Sequence, residues 1–100
     1  MKALLIKPAE QTIESINVSD LNNIIEIIGY DTIITDDIGN DGDKLHFDED
    51  CFLRESNGRF QIDTLIPVSG NGIITGTDKM GNLSDVQLSI DEIKQRIKFI

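Results

Sequence analysis

The chain has little cysteine, proline or aromatic side chain, and it has no tryptophan. Because Cys51 is the only cysteine, an internal disulfide is excluded. With five aromatic residues, the core must consist mainly of isoleucine and leucine. No apolar run is long enough to cross a bilayer, and the start at residues 1–5 is too short for the hydrophobic region of a signal peptide. The sequence therefore predicts a single cytoplasmic domain over residues 1–100 that does not associate with membranes.

Basic residues are also scarce: nine Lys and Arg stand against 18 Asp and Glu, giving a formal net charge of −9. Binding to a phosphate backbone depends on basic side chains that displace counterions, so we expect no direct nucleic-acid ligand. The sequence also lacks a Walker loop, a nucleophile elbow, a zinc-ligand pairing and a dinucleotide-binding glycine pattern. We therefore predict that the chain is not an enzyme and uses no cofactor.

The first third of the chain predicts a hairpin followed by a helix. Residues 3–6 form a continuous apolar run typical of a strand covered on both faces, and residues 11–18 favour a second strand. Ser19 is then expected to cap the start of an amphipathic helix, and Gly29 to cap its end. The apolar stripe of this helix consists of Leu21, Ile24, Ile25 and Ile28.

The remainder predicts short strands and a final helix. Strands are expected at residues 30–35, 44–47, 51–54, 60–64, 73–75 and 85–88. Asn57 and Gly58 favour a tight hairpin turn. Ser89 and Glu92 have the spacing of a capping box, which predicts a helix that continues to residue 98. The fold class is therefore α+β, with a mostly antiparallel sheet of five to seven short strands and two amphipathic helices, near 20–28 and 90–98, packed on one face.

Three stretches resemble a small family of unknown function found in bacteria, phages and other mobile elements. They are residues 1–8 (MKALLIKP), 63–76 (which ends in IITG) and 88–93 (LSIDEI). The middle of the chain, residues 36–51, departs from that pattern, because such relatives usually carry a less acidic strand pair there. That family has no established activity, so the resemblance supplies no catalytic residue; a mobile-element setting would suit an accessory factor.

The most unusual feature is an excess of negative charge at residues 36–50, where seven acidic residues accompany one basic residue. We call these seven residues the acidic run: Asp36, Asp37, Asp41, Asp43, Asp48, Glu49 and Asp50. An exposed cluster of carboxylates suits a basic protein partner. The alternative is a solvated turn that favours solubility and protects an edge strand from pairing. We expect a monomer or weak homodimer that presents the acidic run as an interaction surface and so modulates a host protein.

A second hypothesis is divalent-ion binding by the same run. Asp37, Asp41 and Asp48 fall at ligand positions of an EF-hand calcium loop, with Gly42 at its turn position. The match is incomplete, because Gly39 replaces one ligand and Asp48 is shorter than the glutamate usual at the last position. The flanking segments also favour strands over the paired helices of an EF-hand.

A third hypothesis is a small enzyme that uses the only histidine and the only cysteine. His46 and Cys51 lie on neighbouring predicted strands, with Asp48 or Asp50 available as an orienting acid. A single histidine on a strand is more often a surface or edge residue, and acidic neighbours would raise its pKa. The interaction hypothesis is therefore the leading interpretation.

Overall fold

A computed structural model describes residues 1–39, 42–54 and 58–100. In these residues the strands are β1 (Lys2–Lys7), β2 (Thr12–Asn17), β3 (Ile33–Asp37), β4 (Lys44–Asp48), β5 (Arg59–Ile62), β6 (Val68–Ser69), β7 (Gly72–Thr77), β8 (Leu83–Ser84) and β9 (Ile97–Phe99). The helices are α1 (Leu21–Ile28) and α2 (Ile90–Lys94), and a 3₁₀ turn spans Cys51–Leu53. No helix in the described part of the chain is long and apolar enough to cross a membrane.

The strands form two antiparallel sheets. Within the described residues, the main sheet has six strands in the order β2-β1-β7-β4-β3, with β8 paired to β7. The small sheet has three strands in the order β6-β5-β9. The predicted α+β class with a mostly antiparallel sheet is confirmed, and the β1–β2 hairpin pairs Lys2 with Asn17 through Lys7 with Thr12.

Side chains of the central strands alternate between two apolar layers. Leu4 packs in the layer between the two sheets, which also contains Ile93 of α2. Leu5 points to the other face and packs with Ile24 of α1. The two helices therefore lie on opposite faces of the main sheet, and the prediction that they share one face is wrong. A strand that is apolar on both faces needs cover on both.

Helix α1 begins one residue later than predicted. Its N-cap is Asp20, whose carboxylate accepts a hydrogen bond from the Asn23 amide at 2.9 Å. The Asn23 side chain in turn accepts from the Ser19 amide at 3.0 Å, so Ser19 precedes the cap. Gly29 ends the helix with a φ of +93°, which confirms the predicted C-cap.

Helix α2 has the predicted capping box but is much shorter than predicted. Ser89 accepts from the Glu92 amide at 3.1 Å, and the Glu92 carboxylate accepts from the Ser89 amide at 3.2 Å. The helix ends at Lys94, and the chain then forms β9 beside β5. Ile97 and Phe99 are both half-buried against the core between the sheets, so strand pairing overrides the helical pattern.

Two other predicted strands are absent. Residues 51–54 contain the 3₁₀ turn, and residues 85–88 lie outside the strands. β7 instead pairs with β8. The chain after β8 crosses to β1, where the Val86 amide donates to the Lys2 carbonyl at 3.0 Å. The predicted turn at Asn57 lies outside the described residues.

Candidate functional site

The acidic run is divided between the interior and the surface. Asp43 is 1% exposed and Asp48 is 4% exposed, so the prediction that all seven carboxylates are presented to solvent is wrong for these two. The exposed or half-buried members are Asp36, Asp37, Glu49 and Asp50. Asp41 lies outside the described residues. Charge that is contiguous in sequence is therefore separated in space.

Asp43 joins two distant segments of the chain. Its carboxylate accepts hydrogen bonds from the backbone amides of Gln87 at 2.9 Å and Leu88 at 2.8 Å. Its carbonyl accepts from the Ile38 amide at 3.2 Å. Hydrogen bonds to an ionised acceptor are among the stronger ones in proteins. Asp43 therefore holds the segment before α2 against the β3–β4 connection and is unsuited to bind a partner.

Asp48 is a buried carboxylate with three donors. It accepts from the Thr32 hydroxyl, from Arg54 Nε at 3.0 Å and from the Asp50 amide at 3.1 Å. Burial acts to raise the pKa of Asp48, but the hydrogen bonds from these donors outweigh it and hold the pKa below its ordinary value. The Arg54 guanidinium also lies 4.0 Å from the centre of the Tyr30 ring. Asp48 thus positions Arg54.

His46 is buried on β4, with 2% of its surface exposed. Its ring nitrogens lie 2.9 Å from Thr35 Oγ1 and 2.8 Å from Thr75 Oγ1. Burial, and secondarily the charge of Lys44, lowers the pKa of His46 from 6.5 to about 4. The predictions of a surface histidine and of a raised pKa are therefore wrong. At neutral pH the ring is uncharged and joins three strands.

The structure does not bring His46 and Cys51 together. Leu45 and Phe47 point into the core between the sheets, so His46, which lies between them on β4, points to the α1 side. Cys51 is buried in the core between the sheets, where its sulfur accepts from the Ser69 amide at 3.5 Å. The Cys/His pair that the third hypothesis requires is not assembled.

The calcium hypothesis fails on distance for two of its three ligands. Asp37 is aligned with Lys44, whereas Asp48 is aligned with Ile33 at the other end of the β3–β4 hairpin. Strand geometry separates Asp37 and Asp48 by roughly 13 Å, too far for one calcium ion. Asp37 instead binds Lys44 Nζ at 2.6 Å. No group of three His, Cys, Asp or Glu side chains among the described residues could hold a metal.

An open, mainly apolar groove lies beside β3, on the face of the main sheet opposite α1. We call it the β3 groove; its volume is about 210 Å³. Ile34, Phe47, Phe52 and Ile66 contribute apolar surface, and Asp36 and Glu49 contribute carboxylates. One wall comes from β3 and β4, and the other comes from the 3₁₀ turn and the segment before β6.

Two of the apolar side chains that line this groove are well exposed. Phe52 is 51% exposed and Ile66 is 71% exposed. Arg59 lies over the Phe52 ring at 5.1 Å from its centre. Contiguous exposed apolar surface with a polar rim is typical of a binding site.

Asp36 and Glu49 belong to the predicted site, but sequence reasoning missed Phe52 and Ile66. Phe52 was missed because residues 51–54 were predicted as a strand, whereas they contain a 3₁₀ turn. Ile66 was missed because nothing in the sequence shows that the segment before Pro67 lies beside β3.

Comparison with known proteins gives no match to a family model, a curated protein or a solved structure. The resemblance to a family of mobile elements stays a prediction. Function is therefore inferred from the chemistry of the β3 groove.

Proposed function

We propose that this chain is a non-catalytic interaction module that binds a basic protein partner through the β3 groove. The observation that carries the proposal is the β3 groove itself. It has a volume of about 210 Å³, two carboxylates on its lining, and exposed Phe52 and Ile66 among its apolar residues. Burial of apolar side chains supplies most of the affinity of such sites, and charge supplies partner preference and a faster approach.

The carboxylates of the groove differ in their partners from three acids that form ion pairs. Asp37, Asp48 and Asp63 form ion pairs with Lys44, Arg54 and Arg96, respectively. Within the described residues, neither Asp36 nor Glu49 forms an ion pair, so both can interact with a lysine or arginine of a partner. The net charge of −9 favours the approach of a basic surface over long distances.

The biological setting that we propose is an accessory role in the cytoplasm, in which binding modulates a host protein. The resemblance of residues 1–8, 63–76 and 88–93 to a family of mobile elements supports this setting. The proposal needs no catalytic group, cofactor or metal ion in the groove.

A matched pair of charge insertions tests the proposal. Ile66 in the groove and Met80 in the turn between β7 and β8 are both exposed apolar residues, at 71% and 84%. We expect Ile66→Arg to lose the proteins that the unmodified chain captures from a cell lysate, while Met80→Arg retains them. Capture should also weaken as salt is raised, because salt screens the charged rim. Identical captured sets for both variants, identified by mass spectrometry, would show that the groove is not the interface.

A further inference from the structure

We infer that the partner binds as an extended segment that adds a strand to the open edge of β3. Its groove-facing residues then include both an apolar side chain in the β3 groove and a lysine or arginine beside Asp36 and Glu49. The inference rests on the proposed function and specifies its mode. Strand addition combines main-chain hydrogen bonds with pockets for alternate side chains. The structure provides both elements at one place.

The first element is an open row of backbone groups. Within the described part of the chain, β3 is the last strand of the main sheet and pairs with β4 alone. The Glu49 amide donates to the Thr32 carbonyl at 2.7 Å, and the Ile38 amide donates to the Asp43 carbonyl at 3.2 Å. These bonds flank β3 and place its even-numbered residues in the hydrogen-bonded pairs with β4. The N–H and C=O groups of Ile33, Thr35 and Asp37 therefore point to the open edge.

The second element is the position of the groove relative to that edge. Ile34 and Asp36 line the groove, and they are the two even-numbered residues within β3. An added strand would lie about 4.8 Å from β3, and its alternate side chains would share the face of Ile34 and Asp36. Apolar side chains on that face would reach the groove beside Phe52 and Ile66. A segment of five residues matches the length of β3.

Charge selects a basic segment over a second copy of this chain. Pairing two β3 strands would bring Asp36 and Asp37 of both copies into one short ladder, and like charges across a sheet are destabilising. Each copy also carries a net charge of −9. A segment whose groove-facing residues include both an aliphatic and a basic side chain places its cation beside Asp36 and Glu49 and avoids this repulsion.

The test uses capped synthetic peptides of about eight residues, long enough to cover β3. In the first, the isoleucine–lysine peptide, every second residue faces the groove, and these residues are isoleucine and lysine in turn, with threonine between them. Its control has glutamate in place of each lysine. Titration followed by NMR should show that the lysine peptide shifts groove resonances and slows amide exchange at Ile33, Thr35 and Asp37. The glutamate peptide should bind at least about tenfold more weakly. No shift with the lysine peptide at millimolar concentration would overturn the inference.

N-methylation of the peptide separates strand addition from simple groove binding. Methyl groups on the residues whose amides face β3 should weaken binding by at least about tenfold, because the ladder is interrupted. Methyl groups on the alternate residues should have little effect. Equal effects of both patterns, with groove resonances still shifting, would overturn strand addition while leaving the proposed function intact. Loss of lysate capture by Ile66→Arg remains the separate test of that function.

A pair of substitutions gives the same test from the protein side. Thr35→Pro removes an N–H that points to the open edge, where proline is tolerated, and Thr35→Val keeps it. Both remove the hydroxyl that contacts His46. We expect Thr35→Pro to abolish binding of the lysine peptide and Thr35→Val to retain it. Equal affinity of the two folded variants would contradict the inference, and if Thr35→Pro fails to fold, the N-methylated peptides decide.

Discussion

The two sides of the β3–β4 hairpin differ in chemistry although they come from the same few residues. On the α1 side, His46 and Asp48 are buried and hydrogen-bonded to neighbouring side chains. On the groove side, Phe47 is buried in an apolar layer, and Ile34 and Asp36 line an open groove. Because successive side chains of a strand point to opposite faces, one residue can stabilise the fold while its neighbour is available to a partner.

The difference shows that an excess of acidic residues in a sequence is not equivalent to an acidic surface. Buried polar groups are costly unless they are hydrogen-bonded, and Asp43 and Asp48 meet that condition with two and three donors, respectively. Changes on the α1 side should therefore alter the free energy of unfolding. Changes on the groove side should alter binding and leave stability nearly constant.

The largest effect is expected for Asp48→Ala on the α1 side. The Thr32 hydroxyl, Arg54 Nε and the Asp50 amide would lose their common acceptor. We expect the free energy of unfolding to fall by about 3 kcal/mol, measured by urea denaturation. Asp36→Ala, the control on the groove side, should change it by less than about 0.5 kcal/mol. Similar losses for the two variants would contradict the division between the sides.

The next effect is a pH dependence that His46 confers on stability. The pKa of His46 is lowered from 6.5 to about 4 in the folded chain, so the unfolded chain takes up the proton first as pH falls. Stability should therefore be full above pH 6.5 and decrease between pH 6.5 and pH 4. The upper limit of this loss is about 3 kcal/mol. Urea denaturation at several pH values across this window measures it.

The control for this pH dependence is His46→Gln, which carries no titrating group. The variant should have a flatter profile in the same window, even if its stability at neutral pH is lower. Asp48, whose pKa is lowered by its donors, acts at lower pH: its contribution is present above its unfolded pKa and is lost as pH falls through the folded pKa. An unchanged slope in His46→Gln would show that another group controls acid stability.

On the groove side, Phe52 and Leu53 are neighbours in sequence but not equivalent in position. Phe52 lines the groove and is 51% exposed, whereas Leu53 is 81% exposed. Phe52→Ala should lower the free energy of unfolding by less than about 1 kcal/mol. It should lower the affinity for the isoleucine–lysine peptide by about tenfold, as expected for a central aromatic contact. Leu53→Ala should change both little. Equal affinities of the two variants in an NMR titration would remove Phe52 from the interface.

Elements with a clear local pattern were predicted from sequence, whereas β9, whose conformation depends on distant pairing, was not. The β1–β2 hairpin, the cap at Gly29 and the capping box at Ser89 depend on neighbouring residues and are confirmed. The strand at residues 97–99 depends on β5, more than 30 residues away, and was predicted as helix. Long-range pairing overrides local preference here.

The residues of the candidate site also fall into those that the sequence indicated and those that depend on distant contacts. The predicted set contained Asp36 and Glu49, because charge is visible in sequence. Phe52 and Ile66 come from separate segments, the 3₁₀ turn and the segment before β6, which line the groove together in the folded chain. The burial of Asp43 also depends on a distant segment, residues 87–88. A list of acidic residues could not separate structural from available carboxylates.

The smallest effect should come from neutralising the carboxylates of the groove with Asp36→Asn and Glu49→Gln together. Neither residue forms an ion pair within the described residues, so stability should change by less than about 0.5 kcal/mol. Affinity for the isoleucine–lysine peptide should fall about fivefold at low salt, with much less difference at high salt, because rim charges are screened. Asp37→Asn is the matched control: Asp37 lies next to Asp36 but points to the α1 side, where it pairs with Lys44. If Asp37→Asn lowers the affinity for the peptide as much as Asp36→Asn and Glu49→Gln together, the charge of the whole edge controls binding. The groove side would then have no special role in the preference for a basic partner.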